Sequence, residues 1–200
     1  MDVITHYDLL IKENNDPFHD APSLKKYMDT WDGEPFIEAL RLDGSKAVLE
    51  IGIGTGRLAA RTADHCKRLV GIDVSPLSIE RAKENLKSFD NISFICDDFL
   101  LHSFEERFDV IYSSLTMMHF ENKQLVLSKV SDLLNNGGVF CLSIDKNQAD
   151  HIDMGTRRLK IYPDTPEYIE KLIKETDMTH IETLQTENAY ILVSTKNTAP

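Results

Sequence analysis

The run Val48-Leu49-Glu50-Ile51-Gly52-Ile53-Gly54-Thr55-Gly56-Arg57-Leu58 constrains this chain more than any other stretch. An apolar segment closes on a carboxylate, glycines follow at every second position, and apolar periodicity then resumes. That is how a strand turns sharply into a helix. Gly52, Gly54 and Gly56 tolerate positive φ and carry no Cβ, so a ligand can lie directly on the backbone while the N–H groups opening the next helix face it. The turn reads as a binding loop.

Glycine-rich turns of this kind also serve dinucleotides, and Gly54-Thr55-Gly56-Arg57-Leu58-Ala59 satisfies G-x-G-x-x-A. The fuller pattern is Glu50-x-Gly52-x-Gly54-x-Gly56, followed at the distance of a second strand by Val70-Gly71-Ile72-Asp73-Val74-Ser75-Pro76. Together these motifs resemble the class I S-adenosylmethionine-dependent methyltransferases, and the resemblance runs from about Ala47 to Thr195. It implies S-adenosyl-L-methionine as cofactor and S-adenosyl-L-homocysteine as product. It says little about the acceptor.

Along the chain, strands are expected at Ala47 to Ile51, Leu69 to Asp73, Ile92 to Cys96, Phe108 to Ser113 and Val139 to Ile144. Helices are expected between them. One runs from Leu58 to about Cys66. A second is capped by Ser75 with Pro76 at its first position. A third runs from Asn122 to Asn135 with Leu125, Val126, Val130 and Leu133 inward, stopped by Asn135-Asn136-Gly137-Gly138. This alternation makes a doubly wound, mostly parallel α/β sheet whose ligand lies at the carboxyl ends of its strands. A polar stretch, Asp145 to Pro163, leads to a helix starting at Asp164 or Thr165. Thr179 to Gln185 and Ala189 to Thr195 then read as two strands joined by Thr186-Glu187-Asn188. The resemblance makes them the C-terminal antiparallel hairpin that completes seven strands in a Rossmann-like methyltransferase fold.

With 200 residues the chain fits one globular unit, divided here into residues 1–42 and a cofactor-binding domain over 43–200. The first part is polar, broken by Pro17, Pro22 and Pro35, and should form short helices. In the family it resembles, such a segment often folds over the cofactor as a lid; packing on the sheet edge remains the alternative. No apolar run approaches the ~20 residues of a membrane span. The N-terminal residues lack the pattern of a secretion signal, so a cytoplasmic protein is expected. Cys66, Cys96 and Cys141 form no C-x-x-C pair, which points away from zinc, and all three are read as buried reduced thiols. A net charge of −11 makes nucleic acid a poor partner and favours a small molecule.

The resemblance assigns the cofactor contacts. Gly52, Ile53, Gly54 and Gly56 form the loop, and Asp73, with Val74 beside it, takes the ribose hydroxyls. Asp98 accepts from the adenine amino group and Phe99 supplies a backbone N–H, with Asp97 as the one-residue alternative register. Glu50 lies near the amino-acid head, because a charge at the end of a buried strand needs a partner. Ser113, Ser114 and Thr116 lie beneath the methionine moiety or merely satisfy a strand end.

For the acceptor side, His119 is the candidate base, since imidazole titrates near neutrality. Tyr7, His19 and Tyr27 join it if the leading segment closes. Arg157, with Arg158 and Lys160, could take an acidic substrate group or form a solvated face. No Asn/Asp-Pro-Pro-Tyr sequence follows strand four, where Ser113-Ser114-Leu115-Thr116 stands. That absence, with the acidic balance, favours a small-molecule acceptor offering an O, N, S or C nucleophile. Two alternatives stand beside this reading. One is an NAD(P)-dependent oxidoreductase, although no Tyr here has Lys four residues later. The other is a non-catalytic cofactor-binding protein acting through a partner.

Overall fold

The computed structural model describes residues 1–198. In chain order the elements are α1 (Val3–Lys12), α2 (Pro22–Met28), α3 (Gly33–Ala39), β1 (Ala47–Ile51), α4 (Ala59–Thr62), β2 (Arg68–Asp73), α5 (Pro76–Asn85) and β3 (Ile92–Cys96). They continue with β4 (Phe108–Ser114), α6 (Lys123–Leu133), β5 (Leu134–Asp145), β6 (His151–Asp153), β7 (Arg158–Lys160), α7 (Pro166–Ile173), β8 (Met178–Gln185) and β9 (Ala189–Lys196). Seven strands form one sheet in the order β3-β2-β1-β4-β5-β9-β8. The first five are parallel, and β8 and β9 close the sheet as an antiparallel hairpin.

Side chains alternate across the sheet, so β1 feeds two cores. Leu49 and Ile51 pack with Ile111, Phe140 and the inner faces of α6 and α7, while Val48 faces Phe36, Leu40, Ile79 and Leu86 on the other side. Glu50 shares that second face with Val48 and is buried beside Tyr112. Strand order reverses between β1 and β4. Their diverging carboxyl ends open the crevice where doubly wound sheets bind ligands.

Several local expectations need correction. The helix expected over Leu58 to Cys66 is only the single turn α4, followed by a 3-10 turn at Ala63–His65. Thr62 Oγ1 bonds back to the Leu58 and Ala59 carbonyls, and the Asn91 amide takes the carbonyls of Ala63 and Cys66. The Asn91 side chain thereby caps carbonyls where the chain leaves this turn. Helix α6 buries Lys123, Val126, Leu127 and Val130, whereas Leu125 is 55% exposed. A residue two places beyond Lys123 lies about 200° around the axis. Cys96 is exposed, because β3 is the sheet edge and Cys96 ends its outward face, while Cys66 and Cys141 are buried. The polar stretch after β5 also contains an unforeseen two-stranded ribbon, β6 with β7. Among the described residues, no helix is long and apolar enough to cross a membrane.

Candidate active site

The crevice holds a cavity of about 500 Å³, within the usual range for small-molecule sites. The glycine loop, the ends of β2, β3 and β4, and the inner face of α1 line it. The loop is folded by its own backbone: Gly52 N–H and Ile53 N–H both donate to Ile72 O, and Gly56 N–H to Ile53 O. Two of the glycines answer different needs. Gly52, at φ +79°, has no room for a side chain, since a Cβ there would lie 2.1 Å from Thr116 Oγ1. Gly54, at φ +54°, faces open space where a Cβ would meet nothing within 4 Å, and its bare backbone lines the cavity.

Asp73 ties the loop to β2. Its Oδ2 accepts from Gly54 N–H at 2.9 Å and its Oδ1 from Ser75 N–H at 2.9 Å. Two carboxylate oxygens offer about four acceptor positions, so capacity remains for a ligand. Burial raises the Asp73 pKa, and a bound hydroxyl pair would offset that penalty. Val74 and Ile53 line the cavity beside it.

At the end of β3, Asp97, Asp98 and Phe99 all border the cavity. Asp97 is engaged elsewhere: its Oδ1 accepts from Asp98 N–H, and its Oδ2 lies 2.9 Å from His102 Nδ1. Asp98 Oδ1 accepts from Leu100 N–H at 2.7 Å. Phe99 is buried against Phe104 and Phe120.

Beneath the loop, Glu50 accepts from Tyr112 Oη at 2.8 Å, and burial pushes its carboxyl up to about 8 against the pull of that bond and of Arg57. Ser114 donates to Asp32 Oδ2 at 2.8 Å. Asp32 is fully buried, paired with Arg57, and caps α3 by accepting from Gly33 N–H. Glu50, Ser114 and Arg57 therefore meet at one end of the cavity. Sequence reasoning missed the Asp32–Arg57 pair. Asp32 before Gly33 reads as an ordinary cap, and Arg57 carries no signal beyond its place after the third glycine.

Opposite them, Tyr7 Oη lies 2.8 Å from His119 Nε2. Burial drives His119 down to about 4, so the imidazole is neutral at physiological pH, and the same burial raises the Tyr7 hydroxyl. His119 Nδ1 is buried and has no partner. Helix α1 is held over the cavity at two further points. Asp8 Oδ1 accepts from Ser75 Oγ and Leu77 N–H, and Glu13 pairs with Arg157.

Other expected residues stand away from this cavity, Gly56 among them: it turns toward the core, where a Cβ would lie 2.5 Å from Leu86 Cδ1. Ser113 turns inward and donates to Ile51 O at 3.1 Å, because it alternates with Ser114 along β4. Tyr27 is 55% exposed and packs edge-on against Trp31. Arg157 is committed to Glu13, and His19 lies 3.0 Å from Asn85 Oδ1.

A family model described as a methyltransferase domain matches residues 42–196. The chain belongs to the methyltransferase domain family. Membership favours the methyltransferase class over the dinucleotide-dependent oxidoreductases that the glycine pattern left open. The chain is 26% identical over 136 residues to malonyl-[acyl-carrier protein] O-methyltransferase 1 of Ilyobacter polytropus, covering 67% of this chain and 50% of that protein. It is 28% identical over 139 residues to nodulation protein S of Sinorhizobium fredii, covering 66% of this chain and 61% of that protein. It thus spans about half to three-fifths of the length of these relatives. N-methyltransferase NodS from Bradyrhizobium japonicum WM9, solved with S-adenosyl-L-homocysteine, superposes with a TM-score of 0.70 at 23% identity. That match covers 95% of this chain and 97% of the solved chain. At that identity the superposition speaks for the fold.

Proposed function

We propose that this domain transfers a methyl group from S-adenosylmethionine to a nucleophilic atom of a small molecule bound between the glycine loop and α1. One observation carries the reading. A single cavity is lined by bare backbone at Gly54, the Asp73 carboxylate, Asp98 and the Tyr7–His119 pair. In this reading Asp73 takes the ribose diol and Asp98, whose second oxygen is uncommitted, takes the adenine amino group, with Phe99 as apolar cover. Glu50 faces the cationic amino-acid head, and Arg57 faces its carboxylate.

The cofactor supplies the electrophilic methyl group, so the protein's task is positioning and, for a protonated acceptor, removal of a proton. Neutral His119 can accept one at Nδ1, which has no other partner, in the tautomer whose Nε2–H donates to Tyr7 Oη and so fixes the ring. The contacts of α1 with His119, Ser75 and Arg157 favour a lid role for residues 1–42 over residues 43–200.

The test is transfer of labelled methyl from S-adenosylmethionine across a panel of amines, alcohols, thiols and carboxylic acids. Turnover of one panel member and an increase in Tm with S-adenosylhomocysteine but not with NADH are expected. Tight cofactor binding with no methylated product across the panel would favour the non-catalytic alternative. Tyr7→Phe should lower turnover by roughly ten- to a hundredfold while leaving S-adenosylhomocysteine affinity unchanged; unchanged turnover would remove the pair from the chemistry.

A further inference from the structure

Behind the strand-end segment Leu115 to Met118 lies a second cavity of about 270 Å³, walled by the end of β5, the β6–β7 ribbon and the segment leading into α7. Leu115 borders both cavities and sits at φ +54°, a left-handed conformation unusual for a bulky side chain. Such outliers persist where the surroundings over-determine them, and they cluster at ligand sites.

One buried carboxylate in the lining of this cavity has an oxygen without a hydrogen-bond partner. Asp164 is 4% exposed; its Oδ2 lies 3.1 Å from Lys123 Nζ, and its Oδ1 has no partner. Lys123 cannot serve that second oxygen. Its three protons are taken by Met117 O at 2.6 Å, Tyr162 O at 2.9 Å and Asp164 Oδ2. A buried carboxylate oxygen without a donor is uncommon and calls for an explanation. Around it the lining is rich in acceptors. Asp145 takes one backbone N–H, from Asn147, which leaves it further acceptor capacity, whereas Asp153 is held by Gly155 N–H and by Arg158 at 3.7 Å. The one lining imidazole, His151, is engaged with Asp150 and Arg158. The walls are apolar, with Met117, Ile144, Ile152 and Ile161.

We propose that the second cavity receives an ammonium-bearing tail of the methyl acceptor, whose reacting end lies across Leu115 in the first cavity. Asp164 Oδ1 takes one ammonium proton, Asp145 balances its charge, and the apolar walls pack the methylenes. The net charge of −11 draws such a cation toward the protein. The assignment rests on the reading that the first cavity holds cofactor and acceptor.

The test uses n-pentylamine, 1-pentanol and pentanoate as probes. Each is titrated into the full chain saturated with S-adenosylhomocysteine, following the backbone amides of Ile152 and Ile161 by NMR. Pentylammonium should bind about fivefold or more tighter than pentanol, because a charged hydrogen bond is roughly twice as strong as a neutral one, and pentanoate should not bind. Asp164→Asn and Asp145→Asn should each reduce that preference, and Ala149→Trp should abolish the shifts by filling the space. Equal affinity for the three probes, shifts confined to other regions, or a preference that survives Asp145→Asn and Ala149→Trp overturns the proposal, even if Asp164→Asn does not fold. A chain that binds no S-adenosylhomocysteine refutes the methyltransferase reading instead, and the same titration of the ligand-free chain then decides the subsite.

Discussion

Replacing Asp73 separates its two roles in the site. Its oxygens accept from Gly54 and Ser75 N–H in the free protein, and the proposed complex adds two ribose hydroxyls. Hydrogen bonds to a charged group are worth about 1.5–3 kcal/mol each. Losing both ribose contacts in Asp73→Ala should therefore weaken S-adenosylhomocysteine by about 3–6 kcal/mol, or roughly two to four orders of magnitude. The variant also leaves two backbone donors without an acceptor, at about 1–3 kcal/mol each, partly offset because a buried carboxylate is no longer desolvated. A net loss of about 1–3 kcal/mol corresponds to a fall in Tm of roughly 3–10 °C for a chain of this size. Asp73→Asn keeps one carbonyl acceptor and should lose about one order of magnitude in affinity. Calorimetric titration well below each variant's own Tm measures the affinities, and thermal unfolding without ligand measures the stability. If Asp73→Ala, folded at the temperature of the titration, binds within about threefold of the unaltered protein, the ribose role is refuted.

Other outcomes follow from the same geometry. His119 is held near 4 against an ordinary value of 6.5, so the unfolded chain binds a proton that the folded one refuses. Stability should therefore fall as pH drops through that window, by about 2 kcal/mol between pH 7.5 and 5, and denaturant titrations of His119→Gln should lack that component. Glu50 behaves oppositely in sign: with its folded pKa raised from 4.5 to about 8, its contribution is full below 4.5 and is lost as pH rises toward 8. Glu50→Gln should then be more stable than the unaltered protein at pH 7, by at most about 3 kcal/mol, yet bind S-adenosylmethionine more weakly; lower stability there would contradict the burial argument. Gly54→Ala should fold with a loss of about 1–2 kcal/mol and bind cofactor poorly, because its Cβ enters the cavity, whereas Gly52→Ala should be far less stable, since its Cβ strikes Thr116. Equal Tm values for the two would show that the loop is not packed as described.

Much of this protein follows from short-range rules that one sequence can display. Alternating apolar strands and capped helices give the sheet, and the glycines after β1 with an acid closing β2 mark the carboxyl-end crevice and its loop. Period-2 alternation also separates Ser113 from Ser114, although only the register of β4 against β1 says which of the two faces the cavity. Side chains brought together from distant positions could not be read in advance. Asp32 meets Arg57 because α3 folds back under the glycine loop, and Tyr7 reaches His119 across 112 residues because α1 lies over the crevice. Arg157 looked available for a substrate until Glu13, at the C-cap of α1, took its charge. Residues near in sequence are governed by backbone geometry and hydrophobic period, so they were legible. The polar pairs that shape the acceptor side depend on which surfaces the packed core presses together, and that was decided only when the chain had folded.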